Sequence, residues 1–457
     1  MKNRLRNRLL NIFSGLDTSR HFLVNRSKQK AASREQAVQT EAPVQVDESE
    51  RPEVTAEEAF VQQAMKQLEH VQAFGALAVR VDSKDAGENK EEREEPFTAA
   101  DTIAGVINRL CRNKNGFWGQ WQKDVFGCFF KKVDEAGCMK ISRQLQHQLR
   151  ERKKTTVSVG AAVFPFVEFK KKEILANAGK ALAHAAFLGP DSVVMFDAVS
   201  LNISGDRLYQ EGDIDGAVRE FRTALKLDAE NVNVLNSLGV CYGVQGAYKK
   251  ALRSFESAVS LDPDHMMAYY NAGYVCTLMD RNETALEYFL KAYDTGEAAF
   301  EVLFQIGKLY LKTGKPEQGK LFLEKALAVN PDAAAACFQL GECFKALGDQ
   351  ERAKLQYEAA VKKNPQDAAA LSALGALYDA EGENPEISTL FCEKSVEISP
   401  ENGLFQYRLG RVYANNNMLD KAVDAFENAV RLGHDGTRAL AGAKERLARA
   451  FREGLSN

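Results

Sequence analysis

The chain has 457 residues, and its 60 Lys and Arg against 63 Asp and Glu leave a formal charge of −3. No apolar run reaches the roughly 20 residues of a membrane-spanning helix, and charge this balanced excludes a chain whose main work is coating nucleic acid. A hydrophobic fraction of 45%, with 32 Gly and 11 Pro, excludes the collagen-like and low-complexity classes. The eight cysteines form no CxxC and the six histidines no HExxH. Buried free thiols in a reducing cytoplasm are therefore expected, with no disulfide framework, no metal site and no cofactor.

Residues 1–30 carry eight bases against Asp17, and residues 31–60 carry eight acids against Arg34 and Arg51. Leu5, Leu9, Ile12, Phe13 and Leu16 fall on one helical face. This start reads as a solvated basic tail, as an organellar transit peptide, or as an amphipathic helix. As a helix, residues 1–16 would dock on a partner or tether a cytoplasmic protein peripherally to the inner membrane surface. The acidic stretch up to position 55 reads as a disordered linker.

Residues 56–198 alternate helix and strand signals. A helix is predicted over Ala59–Val71, then a strand over Phe74–Val81 and a helix over Ala99–Leu110. Short strands Phe117–Trp121 and Val125–Phe130 form a hairpin. Helix Gly137–Arg150, a β-rich stretch at 155–165, helix Lys172–Phe187 and strand Ser192–Phe196 complete an α/β order.

The tail of this segment, VSVGAAVFP followed by EILANAGKALAHAAFLGPDSVVMFD, resembles the C-terminal half of the diguanylate cyclase (GGDEF) domain, chiefly a bacterial signalling module. The resemblance covers about 120 residues in element order, and only the last 45 match well. It implies that Phe74–Asp82 is the first strand and that 119–130 spans the signature hairpin. Aligned this way, Arg80 stands at the metal-binding Asp, Val125 at the signature Glu, and Gln122 and Lys123 at the paired glycines. Only Asp124 and Phe126 remain of the signature. Gly179, Ala183, Ala186 and Pro190 replace the Asp, Tyr, Lys and Arg of the late helix, and the RxxD motif is absent around Asn113–Gly116. A metal-bound triphosphate would meet no carboxylate pair. The resemblance thus implies a degenerate domain that is no enzyme.

From about 198 onward the chain repeats. Gly205, Gly239, Gly273, Gly307, Gly341, Gly375 and Gly410 are spaced by 34 residues five times and then by 35. Small residues recur twelve and nineteen places after six of the glycines, and Phe221, Phe255, Phe289, Leu323, Tyr357 and Phe426 recur sixteen after; the sixth unit absorbs one extra residue near Asn384-Pro385, which puts Ser388, Cys392 and Ser395 in phase. Turn glycines and the closing Pro263, Pro331, Pro365 and Pro400 keep the same phase. Small residues allow two antiparallel helices to approach closely, the aromatics are expected between neighbouring pairs, and stacking supplies a core no single pair could bury. The pattern resembles tetratricopeptide repeats, which implies seven helix pairs over about 198–434 and a capping helix from Thr437 to Gly454. The expected fold class is mainly α: a right-handed α-solenoid after an α/β domain. Three domains are expected, at 1–55, 56–198 and 199–457.

In that family the first helices line a groove. The resemblance nominates the residues three before and one after each phase glycine, among them Asn202, Asn236, Tyr270, Tyr274, Phe304, Lys308, Phe338, Tyr407 and Arg411. Asparagine suits an extended peptide backbone, and the aromatics suit anchoring. Asn202, Asp206 and Asn236 do not form the family's clamp for a C-terminal carboxylate. The expected function is a protein–protein interaction scaffold that holds a partner's protein or peptide segment and no nucleic acid. The alternative is a sensor of cyclic di-GMP or GTP, and residues 56–198 are a candidate for self-association.

Overall fold

The computed structural model describes residues 56–82, 96–153, 156–296, 299–382 and 384–454. The expectations for residues 1–55, including the amphipathic start, lie outside the described residues. The chain divides into two compact units, Met1–Pro263 and Asp264–Asn457.

The first unit opens with α1 (Ala56–Gln67), β1 (Phe74–Val81), α2 (Pro96–Asn113), β2 (Gly116–Gln122), β3 (Val125–Lys131), α3 (Glu135–Lys153), β4 (Val157–Phe164), α4 (Ile174–Leu188) and β5 (Val193–Met195). The strands form one sheet in the order β2-β3-β1-β4-β5. β1 runs antiparallel to both β3 and β4, and β4 pairs parallel with β5. The β1–α2–β2 crossover leaves a slot that β3 fills, a split βαβ arrangement. Helices cover both faces, so the central strands are apolar without alternation. Phe74, Ala76 and Ala78 join the core beside α1 and α4, while Leu77 and Val79 join the one beside α2 and α3.

Gly160 permits this layering. A Cβ there would lie 2.0 Å from the Ala178 carbonyl oxygen and 2.1 Å from the Leu182 amide nitrogen. The glycine of the Ser158-Val159-Gly160 sequence is thus the point where the backbone of α4 rests on β4. A 3₁₀ turn, Lys171–Glu173, precedes α4 where the sequence pattern predicted continuous helix.

The same unit continues with two helix pairs, α5 (Ala198–Gln210) with α6 (Ile214–Leu227), and α7 (Val232–Val244) with α8 (Tyr248–Leu261). The boundary expected at 198 falls inside one apolar cluster: Ala178, Ala185, Leu201, Phe221 and Leu238 all belong to it.

The second unit holds five more pairs and a last helix. These are α9 (Met266–Leu278) with α10 (Asn282–Asp294), α11 (Phe300–Lys312) with α12 (Pro316–Val329), and α13 (Ala334–Ala346) with α14 (Gln350–Lys363). Then come α15 (Ala368–Glu381) with α16 (Pro385–Ile398), α17 (Gly403–Asn415) with α18 (Leu419–Arg431), and α19 (Thr437–Gly454). Within this unit each second helix also packs on the next first helix.

The phase glycines act inside each pair. A Cβ on Gly239 would come within 2.5 Å of the Phe255 ring, and one on Gly341 within 2.6 Å of the Tyr357 ring. The recurrent aromatics therefore sit against the glycine of their own pair, which corrects the expectation that they fill the space between pairs. The turns close with positive φ at Gly314, Gly348 and Gly382, but Asp280 (56°) and Asn417 (57°) do the same work in the third and seventh pairs. Asp and Asn tolerate this region because their short polar side chains bond locally.

Candidate functional site

Two regions were nominated by sequence, and their geometry differs. In the α/β domain, sheet register sets Arg80 on β1 directly opposite Val125 on β3 and Ser158 on β4. The two positions compared with metal-binding acids are therefore neighbours, and they hold a cation and an apolar side chain. Asp82 accepts from Ser158 Oγ at 2.6 Å and from the Asp191 amide at 2.7 Å, so it ties β1 to β4 and to the loop before β5. Gln122, Lys123 and Asp124 are exposed around the β2–β3 turn, where Gln120 Nε2 donates to the Lys123 carbonyl at 2.9 Å. Trp121 packs where Gly179 leaves room, since a Cβ on Gly179 would approach its ring to 2.7 Å. Trp118 donates from Nε1 to Asn108 Oδ1 at 3.3 Å and meets Phe126 edge-on. Among the described residues no group of three or more His, Cys, Asp and Glu is arranged to hold a metal ion. All eight cysteines are buried free thiols. No described helix is long and apolar enough to cross a membrane.

In the first unit, Asn236 is buried, with 3% of its surface exposed. The Asn202 Oδ1 atom is enclosed with no hydrogen-bond partner among the described residues. Burial raises the Asp206 carboxyl pKa to about 6, against the opposing pull of a 3.4 Å hydrogen bond from Ser237 Oγ.

In three pairs of the second unit, the side chain three before the glycine lies against a ring of the second helix. Tyr270 meets Phe289 with centroids 5.3 Å apart, Phe338 meets Tyr357 at 5.8 Å, and Tyr407 meets Phe426 at 5.7 Å. Tyr270 and Tyr274 are buried, at 3% and 9% exposure. Burial pushes the Tyr270 hydroxyl pKa upward, opposed by its hydrogen bond to Gln305. Phe304, Phe338 and Tyr407 keep part of their rings accessible, and Lys308 and Arg411 are exposed.

The charges on these helices are unevenly paired. Arg411 reaches Asp379 at 3.8 Å, and Asn415 donates to the same carboxylate at 2.9 and 3.0 Å. Lys312 bonds Asp280 and Asn282, each at 3.1 Å. Lys308 enters no ion pair among the described residues. Crowding around its ammonium lowers its pKa, and the neighbouring Lys312 lowers it further. A cation in no ion pair among the described residues, one turn along α11 from the half-buried Phe304, can receive a carboxylate and an apolar side chain together. Sequence reasoning missed Asp379, which orients Arg411 and Asn415. Its signal was its place one turn beyond the phase glycine, beside the nominated position of the next repeat.

Family models described as TPR or tetratricopeptide repeat match residues 205–246, 232–265, 268–295, 310–378 and 405–432. No curated protein matches the chain. Among solved structures, it is similar to YrrB, a TPR protein with an unusual peptide-binding site, at 24% identity over 40% of this chain and 95% of that one, with a TM-score of 0.36. A tetratricopeptide repeat protein from Parabacteroides merdae matches at 19% identity over 54% and 98%, with a TM-score of 0.43. PilF of Pseudomonas aeruginosa matches at 21% identity over 46% and 95%, with a TM-score of 0.42. The helix pairs that follow the α/β domain are tetratricopeptide repeats.

Proposed function

We propose that the chain is a non-enzymatic interaction scaffold whose second unit holds a segment of a partner protein along its first helices. The bound segment carries an acidic residue opposite Lys308 and apolar side chains against Phe304 and Phe338. The observation that carries this reading is the exposed Lys308, in no ion pair among the described residues and one helical turn from the half-buried Phe304 ring. A partner carboxylate there would supply the counter-charge that this ammonium lacks among the described residues. The α/β domain fits the same reading as a degenerate cyclase-like module. Its support is the pairing of Arg80 with Val125 where cyclase chemistry needs two carboxylates, and the strand and helix order of the domain. Affinity capture with the full chain, compared with a Phe304→Ala/Lys308→Glu variant, tests the proposal. The variant is expected to lose at least about tenfold of the captured partner, as removal of a central charged anchor does. Undiminished capture by a folded variant would refute it.

A further inference from the structure

The second helices of the fourth, fifth and sixth pairs share a feature unrelated to their core. At one repeat position, two residues before the buried side chain that fills each pair, stand Leu321, Leu355 and Leu390. They are 49%, 59% and 58% exposed. Two residues along a helix is a turn of about 200°, so each leucine faces away from Leu323, Tyr357 or Cys392. Packing inside the pair does not require an apolar residue there, and the same position is Glu287 in the third pair and Asp424 in the seventh.

Each leucine is bracketed by acids at the two spacings that share a helix face. Glu317 and Glu324 flank Leu321, Glu351 and Glu358 flank Leu355, and Glu386 and Glu393 flank Leu390. Glu317, Glu324, Glu351 and Glu386 are exposed and enter no ion pair among the described residues. Several cations of these helices are engaged elsewhere: Lys325 donates to the Tyr293 hydroxyl at 3.0 Å, Arg352 pairs with Asp349, and Lys354 pairs with Glu381 at 2.6 Å. The result is a leucine on each of three successive second helices, with an exposed carboxylate in no ion pair among the described residues one turn before it; of the acids one turn after, Glu324 is exposed, while Glu358 and Glu393 accept from the Tyr378 and Tyr413 hydroxyls at 2.9 and 2.6 Å.

We propose that this face is a second docking surface, separate from the first-helix face, and that its occupant is a basic amphipathic helix of a partner protein. The leucines anchor the apolar stripe of such a helix, and Lys or Arg beside the stripe meets the exposed row Glu317, Glu351 and Glu386, with Glu324 on the other flank. An acidic or neutral helix would leave those carboxylates without a counter-charge. A single exposed leucine on a soluble protein needs no explanation. One on each of three consecutive repeats, bracketed alike each time, does.

The test uses the full chain and a labelled synthetic helix of about 18 residues, with leucine along one face and lysine on both flanks, read by fluorescence anisotropy. Binding is expected, weakening as salt is raised. Leu355→Asp is expected to weaken it by at least about tenfold, with unchanged far-UV circular dichroism because the site is exposed. Glu351→Lys should act in the same direction, and serves if Leu355→Asp disturbs folding. A peptide with glutamate in place of lysine should not bind. Equal binding of both peptides, or binding untouched by Leu355→Asp and Glu351→Lys alike, would overturn the proposal. So would a dimer that Leu355→Asp converts to monomer in the absence of peptide affinity, since the face would then belong to a second copy of the chain.

Discussion

The sharpest structural prediction is that one substitution, glycine to alanine, acts with opposite sign at two positions of the α/β domain. At Gly160 the new methyl would lie 2.0 Å from the Ala178 carbonyl oxygen and 2.1 Å from the Leu182 amide nitrogen. Both are backbone atoms of α4, so no rotamer change relieves the clash, and the helix must retreat from β4 by about an ångström or more to reach ordinary contact. Overpacking against movable side chains costs about 1–3 kcal/mol, so Gly160→Ala should cost more than about 3 kcal/mol. At Gly105, exposed in the interior of α2, a Cβ meets nothing within 4 Å. There alanine contributes only its better helix propensity, about 1 kcal/mol of added stability. The chain has two tryptophans, Trp118 and Trp121, both in this domain, so tryptophan emission during thermal unfolding of the full chain reports from the unit that contains it. At roughly 2–4 °C per kcal/mol for a domain of this size, Gly160→Ala should lower the midpoint by about 6 °C or more, and Gly105→Ala should raise it by about 3 °C. An unshifted midpoint for Gly160→Ala would refute the assignment of Gly160 as the helix–sheet contact.

Two further predictions concern the helix pairs. Asn417 occupies the turn position that glycine holds in other pairs, at φ 57°, so Asn417→Gly should stabilise the second unit by about 0.5–1 kcal/mol, measured by far-UV circular dichroism melting. A fall in stability would show that the asparagine side chain is doing more than tolerating the turn. For Asp206, the folded pKa of about 6 lies above the ordinary aspartate value, so the folded state binds the proton more tightly than the unfolded one. Stability from this group is then highest below about pH 4 and falls as pH rises to about 6. Asp206→Asn should therefore raise stability at pH 7 by up to about 3 kcal/mol and give no gain near pH 3.5, by denaturant titration at the two pH values. An equal gain at both would contradict the buried-carboxylate argument.

Periodicity made the elements legible, and chemistry at single positions was harder to see. The apolar run Phe74–Val81 is a strand with those same ends, and the 34-residue phase locates all seven helix pairs because each pair must satisfy the same close approach of two helices. Sheet order was not legible, since pairing depends on contacts distant in sequence. The turn positions Asp280 and Asn417 broke the glycine pattern without breaking the geometry. For the candidate site, the family resemblance applied to the phase selected Asn202, Asn236, Tyr270, Tyr274, Phe304, Lys308, Phe338, Tyr407 and Arg411, but phase carries no information on depth. Tyr270 is buried because its ring finds Phe289, whereas Lys308, in the phase position next to the glycine, is exposed and enters no ion pair among the described residues. The leucines at 321, 355 and 390 were in plain phase as well. They stood out only once their exposure was known.

The scaffold reading rests on the first-helix face of the second unit, and site-specific photo-crosslinking tests it most directly. A benzophenone side chain placed at Lys308, at Arg411, or at Glu287 on a second helix of the same unit is irradiated in the full chain with its captured partner present. The account predicts a discrete partner adduct from positions 308 and 411 and none from 287. Adducts absent from both first-helix positions, while the partner remains bound, would contradict it.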